Sequence, residues 1–179
     1  TSDNGGLTTK SQYGPTSVIP LRAGKGWCYE GGIRIPLIMK TPGIEGGTIS
    51  GYPVISMDLY PTLLKLSGFP LKPEQHSDGA DFSSYLENPG KSFDRTLVWH
   101  YPHYHGSTWR PGSAIRHNEW KLIEFYEDGV VELYNLKNDI EEMQDLSLKY
   151  PEKVKELNRK MHEYLKERNA QYPVRKLLN

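Results

Sequence analysis

Four short apolar runs follow one another between residues 96 and 134, and they constrain the fold of this chain more than any other feature. The runs are residues 96–101, 113–116, 120–126 and 130–134. Each is rich in β-branched and aromatic residues, which favour strands, and tight-turn residues at Asn118-Glu119 and Asp128-Gly129 separate the last three runs. Because strands joined by tight turns pair antiparallel, the sequence predicts an antiparallel sheet of about four strands.

A long helical pattern follows the sheet signals. Pro151 suits the first position of a helix, and Glu152 and Lys166 suit its positive and negative ends. Five apolar residues fall on one stripe at helical spacing: Val154, Leu157, Met161, Tyr164 and Leu165. We expect that stripe to lie across one face of the sheet, which makes residues 95–179 an α+β unit.

The first part of the chain is rich in loops and contains two predicted elements. Residues 33–40 form a β-branched and apolar run that predicts a buried strand, although Pro36 favours an edge position or a late start. Residues 56–68 predict a helix that ends at Gly68. Residues 69–94 predict a connector with one short helical patch at 82–86. The predicted division is therefore 1–68, 69–94 and 95–179.

Composition excludes several classes of function. The 22 basic and 22 acidic residues cancel, so the charge balance does not predict nucleic-acid binding. No apolar run approaches the roughly 20 residues that a membrane span requires. Cys28 is the only cysteine, which excludes a disulfide framework or a thiolate metal cluster within this chain. Cys28 is most simply a small buried hydrophobe.

The N-terminal segment has the residues of half an anion site. Asp3 and Asn4 offer adjacent oxygen ligands to a hard cation such as calcium or magnesium. Lys25 lies between two glycines, and a lysine in such a loop can reach a phosphate or sulfate oxygen. Taken alone, Asp-Asn-Gly-Gly is more often a simple turn, and a lysine between glycines is usually solvated.

Three histidines form a second candidate site, because His100, His103 and His105 alternate with aromatic residues. A zinc site is disfavoured, since successive residues of an extended segment face opposite ways and His100 faces away from the other two. We interpret the three histidines as residues that line a polar pocket and contact a sugar ring or an anion. The alternative is that they only pack against neighbouring residues. Four acidic residues around the last hairpin are interpreted as a solvated sheet edge: Glu124, Glu127, Asp128 and Glu132.

Together these segments resemble the C-terminal part of a type I, formylglycine-dependent sulfatase of the alkaline-phosphatase-like superfamily. The resemblance covers nearly the whole chain, because five motifs occur in the family's order. They are residues 1–6, 24–36, 57–64, 116–122 and 132–136. It implies an incomplete alkaline-phosphatase-like α/β domain followed by the α+β unit.

The resemblance also implies the roles of individual residues. Asp3 and Asn4 would ligate Ca²⁺, Lys25 would bind the sulfate, and Glu30 and Arg34 would support that loop. The family's formylglycine arises from a cysteine followed by X-Pro-X-Arg, or from a serine, and the residues after Cys28 do not match that pattern. We therefore expect the isolated chain to be inactive.

The expected partners are a sulfated small molecule or glycan and the N-terminal part of the same enzyme, with no nucleic acid and no membrane. Family habit implies a periplasmic or secreted protein. Two alternatives stay open: a phosphoester or phosphonate hydrolase of the same superfamily, and a non-catalytic glycan-binding or interaction module.

Overall fold

The computed structural model describes residues 1–8 and 16–174. Contacts within the chain divide it into two compact units, Thr1–Leu37 with Arg95–Asn179, and Ile38–Asp94. The division into 1–68, 69–94 and 95–179 remains a prediction.

The first unit is built on a four-stranded antiparallel sheet with the order β1-β2-β3-β4. Its strands are β1 (Thr96–Tyr101), β2 (Gly112–His117), β3 (Trp120–Phe125) and β4 (Val131–Asn135). Asn118 and Gly129 have positive φ in the two tight turns, as the turn signals require. The predicted sheet is confirmed, and each strand lies within two residues of its predicted bounds.

One side of the sheet, called here the helix face, is covered by the helix Pro151–Glu167. Its residues Leu157, Met161 and Leu165 pack on aliphatic side chains that point from the middle of the sheet. This confirms the predicted C-terminal helix and its apolar stripe. Burial of this aliphatic surface is the main stabilising contribution on the helix face.

The opposite side, called here the loop face, is covered by irregular chain between residues 22 and 33. Cys28 and Tyr29 pack there against Trp109 and Phe125. A single short helix, α1 (Glu30–Ile33), interrupts this segment. The sheet is thus the middle layer between a regular helix and a glycine-rich loop.

The second unit contains a turn of 3-10 helix at Ser56–Asp58, α2 (Leu59–Leu66) and α3 (Ser83–Glu87); the helix on the sheet is α4. Asp58 accepts hydrogen bonds from the backbone N–H groups of Ile55 and Ala80, which ties the start of α2 to the segment before α3. Both helices were predicted, and Gly68 has the positive φ of a helix stop.

The strand predicted over residues 33–40 is wrong. Within the described part of the chain, α1 ends at Ile33 and no strand follows before residue 41. Ile38 is 86% exposed instead of buried. A strand needs a neighbouring strand for its backbone hydrogen bonds, and the described residues place none beside this run.

Among the described residues, no helix is both long and apolar enough to cross a membrane.

Candidate functional site

Three segments of backbone meet where Lys25 lies. The N–H of Gly5 donates to the carbonyl of Gly32, and the N–H of Lys25 donates to the carbonyl of Gly6, each at 2.9 Å. A third bond of 2.9 Å joins the N–H of Gly31 to the carbonyl of Arg22. These direct backbone bonds fix the Lys25 loop against the N-terminal segment.

Glycine is required at these contacts because the backbones are too close for side chains. A Cβ atom at Gly24 would lie 2.6 Å from the carbonyl oxygen of Gly6, and one at Gly32 would lie 2.5 Å from that of Gly24. A Cβ at Gly5 would overlap the carbonyl of Gly31. The glycines therefore permit close backbone packing, in addition to the flexibility that the sequence indicated.

Lys25 occupies the second position of a tight turn. The N–H of Trp27 donates to the carbonyl of Gly24 at 3.2 Å, and Gly26 has a φ of +90° at the third position. This pattern matches a type II turn, which favours glycine there. The Lys25 side chain is exposed at the tip of this turn.

Asp3 and Asn4 lie on the segment that receives the Lys25 N–H. The Asn4 side-chain amide donates to Asp3 at 2.5 Å, and both residues are accessible. A hydrogen bond from its own backbone N–H lowers the pKa of Asp3, and the nearby charge of Lys25 contributes to the same shift. The structure thus brings together the three residues that the sequence singled out at this end.

The donor set fits part of a calcium site. Asp3 and Asn4 supply two oxygen donors, whereas Ca²⁺ takes about 6–8 oxygen ligands. Among the described residues, no group of three or more His, Cys, Asp or Glu side chains could hold a metal ion. Further ligands would have to come from other polar groups or from another polypeptide segment.

Arg22 anchors the start of the Lys25 loop to the sheet. Its guanidinium lies 3.9 Å from the centre of the Tyr29 ring, a cation–π contact. It also donates to the hydroxyl of Tyr134 at 2.8 Å and to the carbonyl of Glu142 at 2.9 Å. The loop is therefore bound to two distant parts of the chain.

A buried charge cluster lies at the other end of the same loop. Lys121, which has no exposed surface, donates to Glu30 at 2.9 Å and pairs with Glu142 at 2.7 Å. The second Glu142 oxygen accepts the N–H of Glu30 at 2.6 Å. Arg34 and Arg116 lie 3.4 and 3.9 Å from the second oxygen of Glu30. The prediction that Glu30 and Arg34 support this loop agrees with these contacts.

The two carboxylates of the cluster have opposite pKa shifts. Burial alone would raise the pKa of Glu30, but Lys121, Arg116 and Arg34 outweigh it and hold that pKa below its usual value. Burial raises the pKa of Glu142, because Lys121 is its only cationic partner among the described residues. The cluster therefore places a firm negative charge at Glu30.

Glu132 corrects the prediction of a solvated acidic edge. It accepts hydrogen bonds from the hydroxyls of Tyr29 and Tyr134 at 2.7 and 2.8 Å, under the loop. Glu124 is also mostly buried and pairs with His162 at 2.7 Å. Glu132 points to the loop face and Glu124 to the helix face, and both faces of the sheet are covered. Glu127 and Asp128 are exposed as predicted, next to Arg110.

The three candidate histidines are separated by the strand geometry. His100 points to the helix face, where its ring nitrogens lie 2.7 Å from the Ser113 hydroxyl and 2.8 Å from the carbonyl of Gln171. His103 is exposed beside Tyr101. His105 is the one of the three in contact with the Lys25 turn, at Gly26. Their joint role in a substrate site remains a prediction.

An aromatic cleft of about 400 Å³ lies between β1 and the segment after Lys25. Trp27, Trp99 and Tyr101 contribute its aromatic surface, and Gly26 is at its rim. Cys28 is buried as predicted, and burial raises the pKa of its thiol to about 12. It stays protonated at neutral pH and is a poor nucleophile.

A comparison of the sequence with known protein families identifies the family of this chain. Residues 23–171 match the family described as N-sulphoglucosamine sulphohydrolase, C-terminal. The chain belongs to this sulfatase family. The resemblance inferred from the sequence is therefore confirmed.

Three relatives show how much of a whole sulfatase this chain represents. A sulfatase of Formosa agariphila is 37% identical over an alignment of 185 positions, which covers 94% of this chain and 32% of that protein. Human arylsulfatase K is 31% identical over 142 residues, which cover 75% and 26%. The crystal structure of Ps i-CgsB in complex with k-i-k-neocarrahexaose has a TM-score of 0.70 and 31% identity, and the match covers 90% of this chain and 34% of that one.

The chain spans about a third or less of the length of these relatives. Ps i-CgsB and a protein from Bacteroides thetaiotaomicron share the fold of this chain, which confirms the predicted fold class. The comparisons therefore show the family of this chain, and not the activity or the substrates of a whole protein that contains it.

Sequence reasoning missed Lys121, Glu142 and Ser107. Their partners are 91, 112 and 81 residues away, so no local pattern could pair them. One signal was readable. Lys121 shares a strand face with Ile123 and Phe125, and a lysine on an apolar face indicates a buried charge with a partner.

Proposed function

We propose that this chain is the part of a sulfate-ester hydrolase that binds the sulfuryl group through Lys25. The single observation that carries the proposal is the Lys25 turn. Its backbone is bonded to Gly6 and its side chain is exposed beside Asp3, so one mobile cation is presented from a fixed base. Positive charge at such a place stabilises negative charge on the transferring group.

We further propose that Asp3 and Asn4 contribute two ligands to a Ca²⁺ ion. When bound, such an ion supplies additional positive charge to the sulfate oxygens. Because this chain offers only part of a coordination shell, we expect it to bind calcium weakly by itself. Isothermal titration of the chain with CaCl₂ tests this. Tight, stoichiometric binding that survives Asp3→Ala would contradict the assignment.

A sulfated glycan is the substrate class that we propose. The aromatic cleft beside the Lys25 turn offers flat apolar surfaces that suit sugar rings, and the relative Ps i-CgsB was crystallised with a neocarrahexaose. His103 and His105 lie on the loop that follows β1 and are candidates for contacts with the substrate. An aryl sulfate is the alternative substrate.

The deciding experiment uses a polypeptide that joins this chain to the remaining two thirds of the relatives' length. We expect it to hydrolyse sulfate esters, with Lys25→Ala raising KM for the sulfate ester at least tenfold and the exposed Lys155→Ala leaving it unchanged. Faster turnover of the matching phosphate or phosphonate ester would favour that hydrolase class instead. Glycan binding without any turnover would favour a binding module.

The 179-residue chain alone should not turn over aryl sulfates, because the formylglycine pattern of the family is not in its sequence. Measurable hydrolysis by the purified chain would overturn this expectation. Export to the periplasm or the medium, and a partner formed by the N-terminal part of the enzyme, belong to the same proposal.

A further inference from the structure

The loop between β1 and β2 reaches the backbone next to Lys25. The hydroxyl oxygen of Ser107 lies 3.2 Å from the carbonyl oxygen of Gly26 and donates to it. Nδ1 of His105 is 2.8 Å from the same oxygen, so the single hydroxyl proton of Ser107 is shared between the Gly26 carbonyl and Nδ1. A segment of the sheet unit that lies 81 residues away in sequence therefore contacts the Lys25 turn.

The hydrogen bonds determine which atom of His105 takes part. The backbone N–H of Ser107 donates to Nδ1 of His105 at 3.1 Å, so Nδ1 must be an acceptor and the ring proton is on Nε2. Nδ1 thus orients the residue whose hydroxyl contacts Gly26. The same geometry could be provided by an amide oxygen at the position of Nδ1.

The fit between this loop and the turn is tight. A Cβ atom at Gly26 would overlap the His105 ring and lie 2.7 Å from the Ser107 hydroxyl. Two further bonds, from the N–H of His105 to the carbonyl of Trp109 at 3.2 Å and from the N–H of Thr108 to the carbonyl of His105 at 3.0 Å, hold the loop itself. Trp109 is fully buried in the core, so the loop has a rigid base.

We propose that His105 and Ser107 are positioning residues that fix the turn carrying Lys25, and thereby the direction in which its ammonium points. The role in anion binding rests on the proposed function, whereas the role in fixing the turn does not. His103 provides a matched control. Both histidine rings lie 6.1 Å from the Tyr101 ring, but only His105 contacts Gly26.

The first measurement needs no ligand. The N–H of Trp27 closes the turn by its bond to Gly24, so its hydrogen-exchange rate reports how often the turn opens. In the 179-residue chain we expect His105→Ala to speed exchange at Trp27 about three- to tenfold, the range set by one lost hydrogen bond. His105→Asn, which keeps an acceptor near the position of Nδ1, should restore the wild-type rate. His103→Ala should not change it.

The second measurement adds inorganic sulfate and follows the amide signals of Lys25 and Gly26 by NMR. We expect His105→Ala to weaken sulfate binding about three- to tenfold, and His105→Asn to stay within about twofold of the wild type. Unchanged exchange at Trp27 in His105→Ala, or failure of His105→Asn to rescue it, would overturn the positioning role. If wild-type chain and Lys25→Ala bind sulfate equally, the proposed function fails at Lys25, and exchange at Trp27 still decides the positioning role.

Discussion

The two faces of the sheet are covered in opposite ways. On the helix face, α4 packs aliphatic side chains on aliphatic side chains, and its own backbone groups are bonded within the helix. On the loop face, residues 22–33 form little regular structure, so their N–H and C=O groups need partners elsewhere. Their partners include the carbonyls of Gly6 and Arg22 and the buried carboxylate of Glu142.

This difference places the candidate site. A helix can be held by burial that has no preferred direction, whereas an irregular loop is held by bonds that fix each atom. Lys25 lies on the irregular side, where its turn is bonded to Gly6 and contacts the loop after β1. We expect substitutions on the loop face to change both stability and anion binding, and those on the helix face to change stability alone.

The largest effect should come from Lys121→Met. Removing this buried ammonium leaves the neighbouring carboxylates of Glu30 and Glu142 without their shared cation. Removing one partner of a buried ion pair costs about 3–5 kcal/mol. We expect that loss in the free energy of unfolding, measured by urea denaturation. Lys155→Met, at an exposed ion pair, is the control and should stay near wild type. A loss for Lys121→Met that is no greater than the control's would show that the cluster does not hold the loop.

Leu157→Ala tests the opposite face. Leu157 is completely buried, and a Leu→Ala cavity in such a place costs about 3 kcal/mol. The amide signals of Lys25 and Gly26 should nevertheless keep their positions, because α4 lies across the sheet from the turn. Leu148→Ala, at a side chain that is 96% exposed, is the control for stability. A change in the amide signals of Lys25 and Gly26 in Leu157→Ala would mean that the two faces are coupled.

Acid should loosen the loop face through Glu30. Its pKa in the folded chain lies below the ordinary glutamate value of 4.5, so its stabilising contribution is complete above about pH 4.5 and is lost as the pH falls through the folded value. Glu142, with a raised pKa, contributes with the opposite sign. We expect the urea midpoint to fall on acidification, and to fall less in Glu30→Gln than in wild type.

The exposed Glu163→Gln is the matched control for this titration. It removes one carboxylate from the solvent side of α4 and should leave the acid dependence of the urea midpoint as it is in wild type. If Glu30→Gln and wild type lose stability in parallel on acidification, other carboxylates are responsible.

How far the sequence predicts each face follows from the range of the interactions. The stripe of α4 and the four strands depend on spacings of two to four residues, and these predictions are confirmed. Lys121 meets Glu30 across 91 residues, and only the folded sheet brings them together. Residues 33–40 have the composition of a strand but no neighbouring strand in the described chain. Glu132 was assigned to solvent because Tyr29, one of its two tyrosine donors, is 103 residues away in sequence.

The candidate site also combines features that local sequence motifs predict with contacts that only the fold creates. Lys25 and the Asp3-Asn4 pair could be singled out because their residue types stand together in short motifs. Their mutual placement depends on backbone contacts among three separated glycine segments, which composition does not specify. His105 could be named as a polar wall, but its contact with Gly26 required the path of the loop between β1 and β2.

The smallest effect should come from Arg159→Ala on the solvent side of α4. Arg159 donates to both oxygens of Glu163 at 2.9 Å, but both side chains are more than half exposed. Water and salt screen such a pair, so its loss should cost only about 0.3–0.5 kcal/mol in the free energy of unfolding by urea. Glu163→Gln, which removes the other partner, should cost a similar amount. A loss that approaches that of Lys121→Met would show that charge pairing by itself, and not burial beneath the loop, separates the two faces.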